Sequence, residues 1–205
     1  MALARGSTVT EPLDVAMLER LARVIDRCTQ ALDGYDHTGA LAAAEEFFWF
    51  FCDDYLELVK GRAYGERGEE PGASARAALR LALAAILRLF APFLPFVTEE
   101  VWSWWRDGSV HTAAWPAPGE VAPAPAPGAA ASLAAASAVI AAIRGAKSGA
   151  RVSMRAPVRT LVVTARRDHL DAVLAVLADV QAAGRVEHTE LRPGDRAEPA
   201  YQVTL

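Results

Sequence analysis

The stretch FFWFFCDDYLELVKGRAYG, residues 47–65, opens with five consecutive aromatic side chains and continues with the spacing of an amphipathic helix. Successive residues on a helix point about 100° apart, so five neighbours cover every direction around the axis and one core cannot bury them all. Phe47 and Tyr55 share a stripe that fits a core, whereas Trp49 and Phe50 share their faces with acidic side chains. The stretch predicts a long helix that packs on one side and carries large aromatic groups on its polar side.

The flanking residues predict three more helices joined by short loops. One helix is capped by Asp14, and the aromatic helix extends over residues 37–64. A third helix covers residues 73–91, and a fourth is capped by Thr98 or begins earlier, in the apolar run from Phe93. Because short loops make consecutive helices antiparallel neighbours, these elements predict an antiparallel helical bundle.

Composition divides the chain into three regions. Residues 1–116 form the predicted bundle. Residues 117–128 form a linker, because the five prolines of PAPGEVAPAPAPG at positions 116–128 forbid a helix and favour an extended chain. The last region, residues 129–205, begins with an alanine-rich helix and continues with a strand at 158–164, a helix at 167–182 and weaker strands at 185–191 and 201–205. The predicted fold class is mainly α, with a helical bundle followed by a small α/β domain.

Composition also excludes several classes of protein. Hydrophobic residues make up 53% of the 205 positions, which is enough for a core, and the first fifteen residues lack the apolar segment of a signal peptide. The alanine-rich stretch at residues 129–143 is expected to be too short and too weakly apolar to span a membrane. We therefore expect a soluble cytoplasmic protein with no membrane contact.

Residues typical of reaction centres are present without the spacing that chemistry requires. Cys28 and Cys52 lie within helical patterns as small hydrophobic residues, and the four histidines show no metal-ligand spacing, so no metal site is expected. Adjacent acids such as Asp53 and Asp54 point about 100° apart on a helix and cannot face each other across a substrate.

Charge is distributed unevenly along the chain. Residues 1–120 carry 11 basic and 18 acidic side chains, whereas residues 121–205 carry 10 basic and 7 acidic ones. Between Glu120 and Asp168 there is no acidic residue at all, while seven basic side chains occur. This acid-free segment is a candidate surface for an anionic partner.

Four basic residues of the acid-free segment are candidate RNA contacts. Arg144, Lys147 and Arg151 follow at i, i+3 and i+7, so one helical face presents all three if the helix continues past two glycines, and Arg155 comes next. A solvated basic face has the same pattern. The residues alone leave both interpretations open.

A smaller basic group ends the aromatic helix. Lys60 and Arg62 stand beside Tyr64, so two cations lie close to an aromatic ring. They are candidates for phosphate contact, but cations at this position also complement the helix dipole. Both roles remain open.

A second stretch gives these patterns a family context. RLFAPFLPFVTEEVWSWW at residues 88–105, its order after the aromatic stretch, and the pair Trp115 and Pro116 resemble the anticodon-binding region of bacterial valyl-tRNA synthetases, which are class Ia enzymes. The segment IRGAKSGARVSM, residues 143–154, extends the resemblance into the small α/β domain.

The resemblance implies that tRNA binding and catalysis belong to different domains. In that family, other domains attach valine to tRNA(Val) with ATP, and they carry HIGH and KMSKS motifs that are absent here. This chain is therefore expected to have no catalytic residue and no cofactor of its own, with ATP and Mg²⁺ bound by the catalytic domain. Its opening residues resemble the interior of the family sequence, so we expect the catalytic domain upstream or in a separate protein. The implied partners are the anticodon arm of tRNA(Val) and that catalytic domain.

Within this context, Trp49 and Phe50 become candidates for stacking on unpaired anticodon-loop bases, which is worth about 1–3 kcal/mol per base. The alternative is that both rings pack on the fourth helix or on a domain outside this chain. For the chain as a whole, two alternatives stay open: a free-standing tRNA-binding paralogue, and a scaffold whose acidic bundle binds a protein and no RNA.

Overall fold

The computed structural model describes residues 9–195 and 198–205. The α-helices are α1 (Pro12–Asp33), α2 (His37–Phe50), α3 (Leu56–Ala63), α4 (Glu69–Phe90), α5 (Pro95–Ser103), α6 (Pro118–Val121), α7 (Ala129–Gly149), α8 (Arg167–Leu174) and α9 (Leu177–Gly184). A π-helical turn spans Phe51–Tyr55, a 3₁₀ turn spans Val110–Thr112, and the strands are β1 (Val158–Ala165), β2 (Val186–Pro193) and β3 (Ala200–Thr204). The predicted class, a helical bundle followed by a small α/β part, is confirmed.

The first helix begins before the position that the sequence indicated. Pro12 occupies its first position after the N-cap residue Glu11, where the fixed φ and missing N–H of proline are tolerated. The prediction that Asp14 caps this helix is wrong. The Asp14 carboxylate is fully buried and accepts hydrogen bonds from the hydroxyls of Tyr55 and Ser74.

The aromatic helix has the predicted extent but contains a wider turn. α2, the π-turn and α3 follow one another without a break. The sequence pattern does not predict the π-turn, in which Phe51 and Tyr55 lie on one buried face with ring centroids 5.7 Å apart. This arrangement brings the Tyr55 hydroxyl to 2.8 Å from a carboxylate oxygen of Asp14.

The starts of α4 and α5 differ in part from the predictions. α4 begins at Glu69, earlier than expected. α5 begins at Pro95, in the apolar run from Phe93, and the alternative start with Thr98 as the cap is wrong. The Thr98 hydroxyl instead donates to the carbonyl of Leu94 at 2.8 Å, one turn back along the same helix.

The proline-rich segment is not extended throughout. Residues Pro118–Val121 form one helical turn, α6, which the prolines were expected to forbid; Pro118 is tolerated because it stands at the first helical position. Val121 is buried, and Glu120 pairs with Arg88 of α4 at 2.8 Å. The segment therefore packs on the bundle, and the division of the chain at residues 117–128 stays a prediction.

The C-terminal part contains a three-stranded mixed sheet. β1 lies in the centre, parallel to β2 and antiparallel to β3, which confirms the predicted strands. The helix predicted at residues 167–182 is divided into α8 and α9, because Val176 between them adopts a φ of −127°. Helix α7 packs against α8 and α9, and all three helices contact the sheet.

One buried cluster joins the bundle to the sheet. It runs from Leu21 and Phe47 through Val139 and Ile143 of α7 to Val163 of β1. By length and composition alone α7 could span a membrane, so the expectation that this stretch is too short and too weakly apolar is wrong. Its apolar face packs against α1, the position of a core helix in a globular fold.

Candidate nucleic-acid interface

Three arginines line a groove between the first two helices. Arg20, Arg23 and Arg27 recur at i, i+3 and i+7 on α1 and therefore share one face. Glu46 and Phe47 of α2 lie on the opposite side, and the groove has a volume of about 250 Å³. We refer to it as the α1/α2 groove.

The α1/α2 groove is positively charged although the surrounding bundle is acidic. Glu46 is the one acidic residue among its described lining residues, and it lies 3.5 Å from Arg20 and 3.7 Å from Arg27. Within residues 9–195 and 198–205, Arg23 makes no ion pair. Three arginines and one glutamate line the groove, so its net charge is positive, which favours an anionic ligand.

The two aromatic candidates on α2 lie in different surroundings. Trp49 is 56% exposed one turn after Glu46, so its predicted position on the polar side is confirmed. Phe50 is half-buried, packs against the main core, and lies beneath the guanidinium of Arg20 at 4.0 Å from the ring centroid. Phe50 therefore holds Arg20 in place through a cation–π contact. Stacking of either ring on a base stays a prediction.

Arg62 lies inside the protein and not on its surface. Its side chain is 1% exposed, and its guanidinium makes a bidentate pair with Asp14 at 2.8 and 2.9 Å. Its Nε donates to Asp179 at 2.8 Å, and one terminal nitrogen also donates to the carbonyl of Pro71 at 3.0 Å. Because α1, α4 and α9 occupy these donors, Arg62 cannot bind phosphate, and that prediction is wrong.

The surroundings of Arg62 shift the pKa values of two side chains in this cluster. Burial alone lowers the pKa of Arg62, but hydrogen bonds and charge from Asp14 and Asp179 raise it above the ordinary arginine value. Burial, together with the charge of Asp14, raises the pKa of Tyr55 well above its usual value. Arg67 reaches Asp179 from the surface side at 2.8 Å. The cluster is structural: it ties the bundle helices to α9.

The remaining members of the basic group at the end of α3 are accessible. Lys60 is exposed and pairs with Glu57 in the same helix, and Tyr64 is 85% exposed. Such a surface pair contributes little to stability and can exchange its partner for a phosphate. Phosphate contact by Lys60 stays a prediction.

The basic face that the sequence predicts for α7 is divided by the fold. Arg144 is half-exposed and donates to the carboxylate of Asp54 at 2.8 Å and to the carbonyl of Asp53. It therefore joins α7 to the π-turn. Tertiary contacts already use part of its hydrogen-bonding capacity, and its predicted RNA contact is untested.

Lys147 is buried, so its predicted phosphate contact is wrong. The residue is 2% exposed, and its ammonium donates to the carbonyls of Met154 and Gly184, each at 3.0 Å. Burial, aided by the positive charge of Arg185, lowers its pKa. A single basic face with Lys147 at its centre does not exist.

Arg151 and Arg155 do reach solvent, but from a loop. α7 ends at Gly149, and Arg151 follows with a left-handed φ of 56°. Arg185, which the sequence reasoning missed, donates to the carbonyl of Arg155 at 3.2 Å. No local pattern connects two residues 30 positions apart, because their contact forms only when the end of α9 packs beside this loop. The spacing of Arg20, Arg23 and Arg27, in contrast, was readable in the sequence.

Candidate metal ligands are not clustered in the part of the chain that the structure describes. Within it, no three histidine, cysteine or acidic side chains are grouped to hold a metal ion. The candidate site is a charged groove with aromatic rings beside it, which is an arrangement for binding.

Comparison with known proteins defines the class. Residues 14–162 match the family described as "Anticodon-binding domain of tRNA ligase", and this chain belongs to that family. The matched region includes the bundle, α7 and the start of β1. The α1/α2 groove therefore lies within a domain type defined by anticodon binding.

The individual proteins to which the chain is similar confirm the resemblance to valyl-tRNA synthetases that the sequence shows. The valine-tRNA ligase of Salinispora tropica is 52% identical over 201 residues, which cover 91% of this chain and 23% of the relative. The valine-tRNA ligase of Thermobifida fusca is 51% identical over 203 residues, covering 99% of this chain and 23% of the relative. That of Cutibacterium acnes is 48% identical over 191 residues, covering 92% and 22%. The chain spans less than a quarter of the length of these curated relatives.

Proposed function

We propose that this chain is the tRNA-binding region of a valine-tRNA ligase and that it binds the anticodon arm of tRNA(Val). Its family and the names of its relatives support the proposal. Attachment of valine, with ATP and Mg²⁺, would then belong to the rest of the enzyme. A cytoplasmic location is part of the same proposal.

The observation that carries this proposal is the charge of the α1/α2 groove. Proteins read single-stranded RNA loops with cations that contact the backbone and with flat rings that stack on unpaired bases. The groove has three arginines against Glu46, and Trp49 lies exposed one helical turn further on. The bundle is acidic overall, so RNA would bind at the basic groove, where the exposed ring of Trp49 is also available.

The groove residues suggest separate roles. Arg23, which has no acidic partner among the described residues, would contact a phosphate. Trp49 would stack on an unpaired base, and Phe50 would orient Arg20 from below. Lys60 would add a second phosphate contact by leaving Glu57.

An apolar surface supports the proposed contact with the catalytic domain of the same synthetase. Phe96 of α5 is 90% exposed and Trp104 just after it is 71% exposed, with Leu94 and Val97 also open to solvent. Large apolar patches on a soluble protein commonly mark contact surfaces. The relatives are more than four times as long as the matched region, so a large partner surface within one polypeptide is available.

Replacing Arg23 by Gln tests the groove. Binding of a tRNA(Val) transcript, measured by fluorescence anisotropy, should weaken about threefold to tenfold, and the log–log salt dependence should flatten by about 0.7–0.9 because one phosphate contact is lost. The melting temperature should not change. Arg80→Gln is the matched control, because Arg80 is exposed on α4 away from the groove lining.

The outcomes separate the candidate functions. Equal losses of tRNA affinity for Arg23→Gln and Arg80→Gln would indicate only non-specific electrostatic attraction and would contradict a binding site in the groove. The acidic bundle and the exposed α5 surface favour a protein-binding scaffold as the second candidate. A chain that binds no tRNA even at about 50 mM salt, where electrostatic binding is strong, would favour that scaffold.

A further inference from the structure

A buried lysine holds the loop between α7 and β1, residues 150–157, in one shape. The ammonium of Lys147 connects the carbonyl of Met154 in this loop to the carbonyl of Gly184 at the end of α9. No carboxylate pairs with Lys147 anywhere in residues 9–195 or 198–205. Burying a charge against neutral carbonyls lowers the stability of the fold, but it fixes the conformation of this loop.

Two arginines beside this loop adopt the backbone conformation that favours glycine. Arg151 follows α7 with a φ of 56°, and Arg185 follows α9 with a φ of 55°. Helices commonly end on glycine at this position, because a side chain there is strained. Both arginines are exposed, and each stands at a helix C-terminus, where a cation is favourable.

The loop lies against the end of α9, which places Arg155 next to Arg185. Arg185 donates to the carbonyl of Arg155 at 3.2 Å, so the ends of α7 and α9 meet at the exposed Arg155. Within the described residues, the side chains of Arg151 and Arg155 make no ion pair, whereas Arg144 is paired with Asp54. Residues 150–157 also contain no acidic and no aromatic side chain.

We propose that Arg151, Arg155 and Arg185 form a second RNA-binding surface that contacts the ribose-phosphate backbone of the tRNA, and that Lys147 is the positioning residue that holds it together. The inference rests on the proposed function, tRNA binding by this chain. The planar guanidinium group binds phosphate through two donors. Because the loop offers no ring for stacking on bases, its contacts hold and orient the tRNA without reading its sequence.

Arg151→Gly is the most direct test, because glycine fits the left-handed position. The melting temperature should stay the same or rise, while tRNA affinity falls about threefold to tenfold and the log–log salt slope flattens by about 0.7–0.9. Arg155→Gln should have the same effect on binding, and neither variant should change which tRNA is preferred. Arg166→Gln is the matched control: an exposed arginine of the same acid-free segment, located beyond the opposite end of β1.

Lys147→Met tests the positioning role separately. Methionine keeps much of the side-chain length but cannot donate to the carbonyls of Met154 and Gly184. Trypsin should then cut faster after Arg151 and Arg155 than in the unchanged chain, and the salt slope should flatten although Lys147 itself touches no RNA. An unchanged cutting rate would overturn the role of Lys147.

The remaining outcomes distinguish this inference from the proposed function. If Arg23→Gln weakens tRNA binding but Arg151→Gly and Arg155→Gln do not, the result contradicts the second RNA-binding surface and supports RNA binding by the α1/α2 groove. If the unchanged chain binds no tRNA, both proposals fall. If the two loop variants lose binding to polyglutamate while keeping full tRNA affinity, the loop serves an acidic protein and the RNA surface is overturned.

Discussion

The end of the aromatic helix and the loop after α7 both carry closely spaced cations, yet the fold uses them in opposite ways. At the first, Arg62 is enclosed by Asp14 and Asp179 and leaves the surface. At the second, Arg151 stays exposed, in a segment where residues 121–167 contain no acid. The oxygen acceptors that folding brings next to a cation, carboxylates around Arg62 and carbonyls around Lys147, therefore decide whether the cation stabilises the fold or stays available to a ligand.

Substitution of Arg62 is expected to destabilise the protein strongly. Arg62→Met leaves the buried carboxylate of Asp14 without its cation and leaves Asp179 with Arg67 alone, so the free energy of unfolding at pH 7 should fall by about 3–5 kcal/mol. Urea unfolding measures the loss. Arg80→Met, at an exposed position on α4, should change it by less than about 0.5 kcal/mol. Similar values for the two variants would show that the buried cluster is not structural.

A second test extends the comparison to two rings of one helix. Phe47 is 1% exposed, so Phe47→Ala should cost about 3–5 kcal/mol of stability. Trp49→Ala should cost less than about 1 kcal/mol because the ring is largely exposed. Thermal unfolding gives both values, and tRNA binding should weaken for Trp49→Ala if the ring stacks on a base. A cost for Trp49→Ala as large as that for Phe47→Ala would support the packing alternative.

A modest change in stability is expected at Tyr35, where the backbone is strained. Tyr35 ends α1 with a φ of 59° and is 85% exposed, in the same conformation as Arg151. Tyr35→Gly should raise the free energy of unfolding by about 1 kcal/mol, because it removes the left-handed strain. Tyr35→Ala keeps that strain and should change little. The difference between these variants calibrates the stability gain expected for Arg151→Gly.

Helices and their order were predictable from the sequence because the signal is local. The 3.6-residue spacing of apolar side chains predicts the aromatic helix over residues 37–64, and the β-branched run predicts β1. The two wrong caps share one physical cause: each helix begins earlier, at Pro12 or at Pro95, so the expected cap residue lies inside the helix. Asp14 and Thr98 are good cap residues in isolation, but Asp14 is bound by Arg62 and Thr98 donates to the carbonyl of Leu94.

The candidate site was predictable in part. Trp49, Arg151 and Arg155 are exposed as expected, although whether they contact RNA is untested. The groove arginines follow a readable helical spacing, but only the packing of α2 against α1 shows that they line a groove. Lys147 could not be assigned correctly, because its acceptors belong to residues up to 37 positions away.

The mainly α class, the order of the elements and the resemblance to valyl-tRNA synthetases follow from the sequence, since residue periodicity and motifs are local properties. Tertiary structure alone decided which cations are available. Arg62 meets Asp179 across 117 positions, and Arg185 meets Arg155 across 30. The free energy of a charge depends on the water and the opposite charges around it, and distant parts of the chain supply those surroundings only when they fold together.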